Sequence, residues 1–379
     1  MPANNSTVAA ASTAVLDERL NTSPSAENAS DGYDHLPVPL LTEDCLLYSF
    51  LVYTIIVGSL CIVGLIGNLV SFAVFWMDKI KTSTSFLFQG LSMIDSLLLI
   101  AVFPLYCIKP FVEYTGKLKG YSVIEPYVLV YGLPTAFLFQ TATIWVTVLV
   151  AVNRYIAVCK PYQASRLCTV AQARKQLTIV LIFAILYNVP KYCEAKLVTS
   201  PVNNMTIPGY TTLGSLNLYW IIYGNVSYLV FLLTLPLLVL TILNVRLINA
   251  LNAWKQKRAE MQTMRQQQDN NVTFVLIIVV LVFTVCQAPA LINQILWNVL
   301  ENTARQCRGF QFYFQRISNM LVILNSSVNF LIYFLFNTRF KQVLLETVCK
   351  KRYKTLRPKN NNANSHHPKD LEGTDETLL

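Results

Sequence analysis

CLLYSFLVYTIIVGSLCIVGLIGNLVSFAVFWM, residues 45–77, runs for 33 positions without one charged side chain. A helix needs about 20 mostly apolar residues to cross the ~30 Å hydrocarbon layer of a bilayer, so this stretch is long enough to do so. Further uncharged windows run from Pro126 to Asn153, Leu197 to Val245, Asn270 to Leu300 and Ile317 to Thr338. Over 379 residues, 54% are hydrophobic and 13% charged, with a mean hydropathy of +0.45. A soluble domain carries roughly twice that charge fraction, and a single aqueous core fed by all these windows would leave too little polar surface. The composition therefore predicts an all-α membrane protein.

Spans are expected near 47–76, 83–108, 124–158, 176–195, 217–250, 270–299 and 310–336, a seven-transmembrane helix bundle over 45–336. The fourth is the weakest: only fifteen uncharged residues separate Lys175 from Lys191. Long Lys side chains reaching the headgroups rescue it; a six-span chain would put one terminus on the other side. With the N-terminus outside, cytoplasmic segments and helix ends hold 21 of the 30 Lys and Arg and external ones 9, the bias that sets orientation. The net charge of +10 thus reads as membrane topology, and no nucleic-acid partner is expected. Residues 1–44 hold seven acids and Arg19 among Asn, Ser, Thr and Ala, a disordered composition, and no cleaved leader is expected ahead of the first span. Asn4, Asn5, Asn21, Asn28 and Asn204 each open an N-x-S/T sequon and are expected to carry glycans; Asn225 also matches, but at the membrane edge it is expected to stay unmodified.

Polar side chains at lipid depth usually face the bundle interior and act there. Asp95 lies midway along the second span, Asn68 midway along the first, and Asn319, Asn325, Ser326, Ser327 and Asn329 on the seventh. One carboxylate with several amide and hydroxyl oxygens suits a small hard cation; a hydrogen-bond network joining helices is the equal alternative.

These residues fall into an ordered set of motifs. Gly67-Asn68, Leu91-x-x-x-Asp95, Asn153-Arg154-Tyr155, Pro236, Phe283 with Cys286-Gln287-Ala288-Pro289, and Asn329-Phe330-Leu331-Ile332-Tyr333 followed by Phe340 occur in this order on successive spans. Over residues 45–350 the chain resembles a class A, rhodopsin-like G-protein-coupled receptor. The resemblance implies a sodium site at Asn68, Asp95, Thr143, Asn325, Ser326 and Asn329, with no other cofactor. It implies an activation switch at Asn153, Arg154 and Tyr155, with Asp269 as the resting partner of Arg154. Ile144, Pro236 and Phe283 would repack on activation, beside Gln287, and Tyr333 would swing inward. Departures are Asn153 for an acid, Gln287 for Trp, Phe330 for Pro, Asn244 for Tyr and Leu129 for the third-helix Cys. A narrower likeness, in Tyr187-Asn188-Val189-Pro190-Lys191-Tyr192-Cys193-Glu194 and in Cys286-Gln287-x-Pro289, is to FMRFamide-type neuropeptide receptors.

A receptor for a short, amidated, RFamide-like neuropeptide is therefore expected, opening its cytoplasmic face to a heterotrimeric G protein and then arrestin at the plasma membrane. A receptor for another non-amine ligand, or an ion-coupled transporter, is the alternative. Ala136 stands where an amine receptor carries its Asp, and Ile323 where a retinal protein carries its Lys. Candidate ligand contacts are Tyr131, Gln140, Glu194, Tyr223, Gln287, Gln294 and Trp297: aromatics stack on a Phe ring or guanidinium, and amides bond a carboxamide without charge. Glu194 and Glu125 are candidate counter-ions for a cationic peptide. An enzyme is not expected, since the only His are His35, His366 and His367, in the tails. In this fold Cys45 and Cys307 are neighbours, and Cys107 and Cys193 both flank the third helix; pairs Cys45–Cys307 and Cys107–Cys193 are expected, free thiols being the alternative. Residues 337–350 present Phe340, Val343, Leu344 and Val348 on one face between basic residues, an amphipathic eighth helix on the inner leaflet's lipid, with Cys349 a palmitoylation candidate. Residues 351–379 are expected to be a disordered cytoplasmic tail.

Overall fold

The computed structural model describes residues 42–118, 120–200, 204–257, 264–300, 306–307 and 309–356; at 251–257, 264–273, 276 and 348–356 the description is of the backbone alone. Among the described residues, six helices are long and apolar enough to cross a membrane: Glu43–Met77, Ser83–Thr115, Tyr121–Cys159, Val170–Tyr192, Asn217–Ala250 and Ile277–Val299. The seventh span is a bent pair, Phe310–Ser327 and Asn329–Phe336, meeting at 45°. The chain is a multi-pass membrane protein. Its helices carry large apolar side chains on the outer surface, Ile62, Val63, Ile66 and Leu69 on the first span alone being 55–62% exposed, where lipid rather than water satisfies them.

Local chemistry sets the helix ends. Thr82 and Thr169 cap the second and fourth spans, their hydroxyls accepting from the backbone N–H of Ser85 (3.1 Å) and Gln172 (3.2 Å). Gly116, at φ +66°, ends the second in the left-handed conformation that glycine adopts freely. The third ends at Cys159, and after Lys160 the residue Pro161 opens a short helix, Pro161–Leu167. The Thr169 cap starts the fourth span earlier than its charge pattern suggested, taking Arg174 and Lys175 into the helix. It also ends earlier, at Tyr192, because Ala195–Thr199 (β1) pairs antiparallel with Thr206–Tyr210 (β2); that hairpin lies in a segment expected to be loop. The second span likewise runs past 108 to Thr115, continuing through a π-helical turn at Pro104–Ile108.

The third span is central, packing on the second, fourth, fifth and sixth, while the seventh closes the ring against the first, second and sixth. Aromatics dominate the core at the Arg154 end: Phe75, Phe88, Tyr333 and Phe340 stack within 4.8–5.9 Å. Phe340 belongs to the terminal helix Thr338–Leu356, which starts where Asn337 accepts from the Phe340 N–H (3.0 Å) and runs six residues past the expected end at 350, into the segment expected to be disordered tail. Arg339 pins that helix by a two-point ion pair to Asp78. Val343 and Leu344 face the same core, as the amphipathic pattern predicted; the side chains of Val348 and Cys349 lie outside the described residues.

The bend in the seventh span occurs at Val328, two residues before Phe330, without a proline. Its cause is close approach by the first span. A Cβ on Gly64 would lie 2.7 Å from Ser327 Cβ, and one on Gly67 2.8 Å from Phe330 Cβ. Bare glycines therefore let the two backbones meet, and Asn68 donates its amide to the Ser326 carbonyl at 2.8 Å, holding a backbone acceptor at the bend.

Candidate functional site

The bend brings the intramembrane polar residues together. Thr143 donates to Asp95 Oδ1 (2.9 Å) and Asn329 Nδ2 to Oδ2 (2.7 Å), and Ser326 is buried on the same seventh span as Asn329. Asp95, Asn68 and Ser92 are fully buried, and Asn68 Oδ1 and Ser92 Oγ have no hydrogen-bond partner. Asn325 is buried on the same helix. A buried carboxylate with the Thr143 hydroxyl on it, and the unpartnered Asn68 and Ser92 oxygens in the same buried interior, are hard-oxygen donors.

Toward the Arg154 end, Ile144 and Phe283 join one buried cluster with Leu232 and Leu240, between which Pro236 is buried on the fifth span. Asn153, at the position of the missing acid, is tied to the second span: its Oδ1 accepts from Ser83 (3.1 Å) and Thr84 (3.3 Å). Arg154 beside it is buried and Tyr155 half-buried. Tyr333 is fully buried and its hydroxyl has no partner. The Asp269 side chain lies outside the described residues, so its pairing with Arg154 is not part of the geometry.

At the hairpin end a cavity of about 50 Å³ opens between the second, third, fifth, sixth and seventh spans. Phe137, Tyr106 and Tyr228 supply aromatic wall; Gln140, Asn293, Gln294, Ser318 and Asn319 supply polar groups, and among the described residues no charged side chain lines it. Ala136 and Ile323 both line it, so the positions where an amine receptor carries its Asp and a retinal protein its Lys do face this cavity. A smaller adjoining cavity shares Phe137 and Tyr228 and adds Tyr187, Lys191 and Tyr223.

Of the expected ligand contacts, Gln140, Gln294 and Tyr223 reach these cavities. Tyr131 does not: it is 56% exposed on the outer, lipid-facing surface, its place in the winding of the third span turning it away from the bundle. Glu194 is 1% exposed but is occupied by Lys191 Nζ at 2.9 Å and by the Tyr219 hydroxyl at 2.8 Å. The ammonium of Lys191 also lies 5.2 Å from the ring centres of Phe137 and Trp220. Glu194 therefore neutralises a receptor lysine and lines neither cavity. Glu125 has Lys109 at 3.9 Å. Gln287 and Trp297 are buried in the sixth span without lining the cavity, Gln287 Oε1 having no partner. Tyr106, Ser318 and Asn319 were not singled out as ligand contacts. Two polar residues, Ser318-Asn319, one turn before the apolar Val322-Ile323 on the same face, were the legible signal.

Cys45 and Cys307 form a disulfide, Cα atoms 6.1 Å apart, joining the starts of the first and seventh spans. The Cys107–Cys193 pair is not formed. Cys107 is a buried free thiol packed in one cluster with Cys61 of the first span, while Cys193 is exposed. The π turn at Pro104–Ile108 directs Cys107 toward the first span, away from the fourth. Asn204 is exposed beside β2; Asn4, Asn5, Asn21 and Asn28 lie outside the described residues.

Comparison with known proteins agrees with this geometry. Residues 67–333, more than half of the chain, match the family described as 7 transmembrane receptor (rhodopsin family). The chain is 27% identical to the FMRFamide receptor of Drosophila melanogaster over 327 residues, 84% of this chain and 57% of that protein. It is 27% identical to the FMRFamide peptide receptor frpr-18 of Caenorhabditis elegans over 289 residues, 75% of this chain and 66% of that one. Neuromedin-U receptor 2 of Homo sapiens is 27% identical over 308 residues, 77% of this chain and 70% of that protein. The chain thus spans less than two thirds of the fly and worm receptors. With seven spans, the ordered motifs and the matched region in agreement, this chain belongs to the rhodopsin-like family of seven-transmembrane receptors.

Proposed function

We propose that this chain is a plasma-membrane receptor for a short, C-terminally amidated neuropeptide and that it signals through a heterotrimeric G protein, with arrestin as a further partner. The observation that carries the reading is the uncharged cavity, whose aromatic walls and amide edges suit an aromatic residue ending in a neutral carboxamide. The names of the fly and worm relatives support the same ligand class. In this reading the hairpin end faces outward, residues 1–44 and Asn204 bear glycans, and the Arg154 end, the Cys349-acylated terminal helix and residues 351–379 face the cytoplasm.

Ligand binding favours a state in which the Ile144–Phe283 packing shifts, the sixth span moves outward and a cleft opens beside Arg154. A ligand shifts such an equilibrium only by its differential affinity for the two states. Asn153 restrains the resting state through Ser83 and Thr84. The Asp95 set fits a sodium ion, which Asp95, Thr143, Ser92, Ser326 and the spare Asn68 oxygen would hold; bound there, it supplies a counter-charge to the buried carboxylate. The test is a calcium and cAMP reporter assay in cells expressing the full chain, comparing Phe-Met-Arg-Phe-amide with its free acid. The amide is expected to activate and the acid to do so far less; equal potency, or no response to either, defeats the ligand assignment.

A further inference from the structure

Three buried oxygens around the main cavity lack a hydrogen-bond partner: Asn293 Oδ1, Gln294 Oε1 and Ser318 Oγ. Their residues are 2%, 1% and 1% exposed. Buried polar atoms are almost always paired, so a cluster of exceptions around one space points to a group that the space is built to receive.

The orientation of Gln294 follows from its neighbours. An amide side chain looks nearly symmetric, and its direction has to be deduced from the bonds it makes. The chain of bonds starts at the backbone carbonyl of Trp220, which can only accept. The Asn225 atom 3.0 Å from it must therefore be the nitrogen, Nδ2. This places Asn225 Oδ1 toward the sixth span, where it can only accept, and the Gln294 atom 3.0 Å away must be Nε2. Gln294 is then left with its buried oxygen free, on a residue that lines the cavity. Asn225 sits in the π-helical turn Trp220–Ser227 of the fifth span, where the wide winding keeps the Trp220 carbonyl within reach of a side chain five residues on. Its sequon is thereby explained without a glycan: Asn225 is buried and its nitrogen is already bonded.

We infer that Gln294, oriented by Asn225, is the specificity-determining acceptor of this cavity, selecting a neutral N–H donor, a primary carboxamide, and rejecting a carboxylate. The chemistry is one-sided. A carboxamide nitrogen has two hydrogens to give to Gln294 Oε1 and its unpaired neighbours. A carboxylate has none, and would set a negative oxygen against an amide oxygen that cannot rotate away without breaking the Asn225 bond. Among the described residues no cation lines the cavity to compensate, and Lys191 next door is engaged by Glu194. Asn225 is a positioning residue: it touches Gln294, not the ligand.

This assignment rests on the proposed ligand class, so its test uses probes that do not depend on peptide agonism. Purified full-length receptor is titrated with N-acetyl-phenylalaninamide or N-acetyl-phenylalanine, and the shift in apparent melting temperature is read. The wild type is expected to prefer the amide by about tenfold in half-effective concentration, the worth of one buried hydrogen bond. Gln294→Met, similar in volume, brings the two probes within about twofold by weakening the amide. Asn225→Leu does so by a different route: it releases the Gln294 amide to turn its nitrogen inward, which strengthens the acid. Equal response of the wild type to both probes, or an undiminished preference in Gln294→Met, overturns the assignment. Should Asn225→Leu fail to fold, Gln294→Met decides alone. An amide preference lost in Gln294→Met upholds the assignment even when Phe-Met-Arg-Phe-amide evokes no signal, in which case only the peptide class falls.

Discussion

Alanine at Gly64 adds a single methyl group where the first and seventh spans touch. Its carbon would stand 2.7 Å from Ser327 Cβ and 2.8 Å from Ser327 Cα, against an ordinary contact of at least 3.4 Å, so the helices must part by 3.4 less 2.7, or 0.7 Å. Rotating a side chain does not relieve a clash with a backbone atom. Such overpacking costs about 1–3 kcal/mol. The same displacement stretches the Asn68–Ser326 bond from 2.8 Å to about 3.5 Å, the outer limit for a hydrogen bond, adding about 1 kcal/mol. At ~2–4 °C per kcal/mol for a large domain, Gly64→Ala should lower the apparent melting temperature of the detergent-solubilised receptor by roughly 4–16 °C. Gly132→Ala is the matched control: its added carbon meets only side-chain atoms, of Val128 at 3.6 Å and Leu105 at 3.9 Å, and alanine is the better helix former by ~1 kcal/mol. That variant should melt at or above the wild type. Because the two effects of Gly64→Ala share the Asn68 bond, the double variant Gly64→Ala/Asn68→Leu should lose less than the sum of the singles. Equal melting of Gly64→Ala and Gly132→Ala would refute the close-approach account of the bend.

Lys191→Met leaves the Glu194 carboxylate buried without its ammonium and should cost about 3–5 kcal/mol; Lys191→Met/Glu194→Gln should recover most of it, read as melting temperature. Tyr333→Phe removes a buried hydroxyl that has no partner, so it should raise stability by about 1 kcal/mol while reducing agonist-driven G-protein activation, read in a nucleotide-exchange assay. Just beyond the first span, burial pushes the Asp78 carboxyl up, but bonds from Arg339 and the Ile80 N–H, with the charges of Arg339 and Lys81, hold it below the ordinary carboxylate range. Its stabilisation is therefore complete above the ordinary value, unchanging from about pH 5 to 8, and lost as pH falls through the lowered value. Asp78→Asn should lower the melting temperature at neutral pH and flatten its decline on acidification below about pH 4.

Charge-free length carried five of the seven spans, because the cost of burying an ionised group in hydrocarbon leaves few other ways to read residues 45–77 or 270–300. The second, with Asp95 inside it, and the fourth, with fifteen uncharged residues, needed the apolar run around them and lysines reaching the headgroups. The depth of Asp95, Asn68, Asn329 and Arg154 was legible for the same reason. Which way each residue faces was not. Lipid tails are as apolar as a protein core, so an apolar span carries little amphipathic signal to mark its inner face. Tyr131 and Gln140 thus looked equivalent until packing turned one outward and the other into the cavity. Glu194 looked free until the chain beyond Tyr192 folded back and delivered it to Lys191 and Tyr219. Cys107 paired on paper with Cys193, but a π turn rotated it toward Cys61. The bend at Val328, with no proline to announce it, depends on glycines 260 residues earlier in the chain. The residues and their depth in the membrane were set by the sequence. The azimuth of each side chain, and so the composition of the ligand cavity, was decided only when the seven helices packed and chose which faces to turn inward.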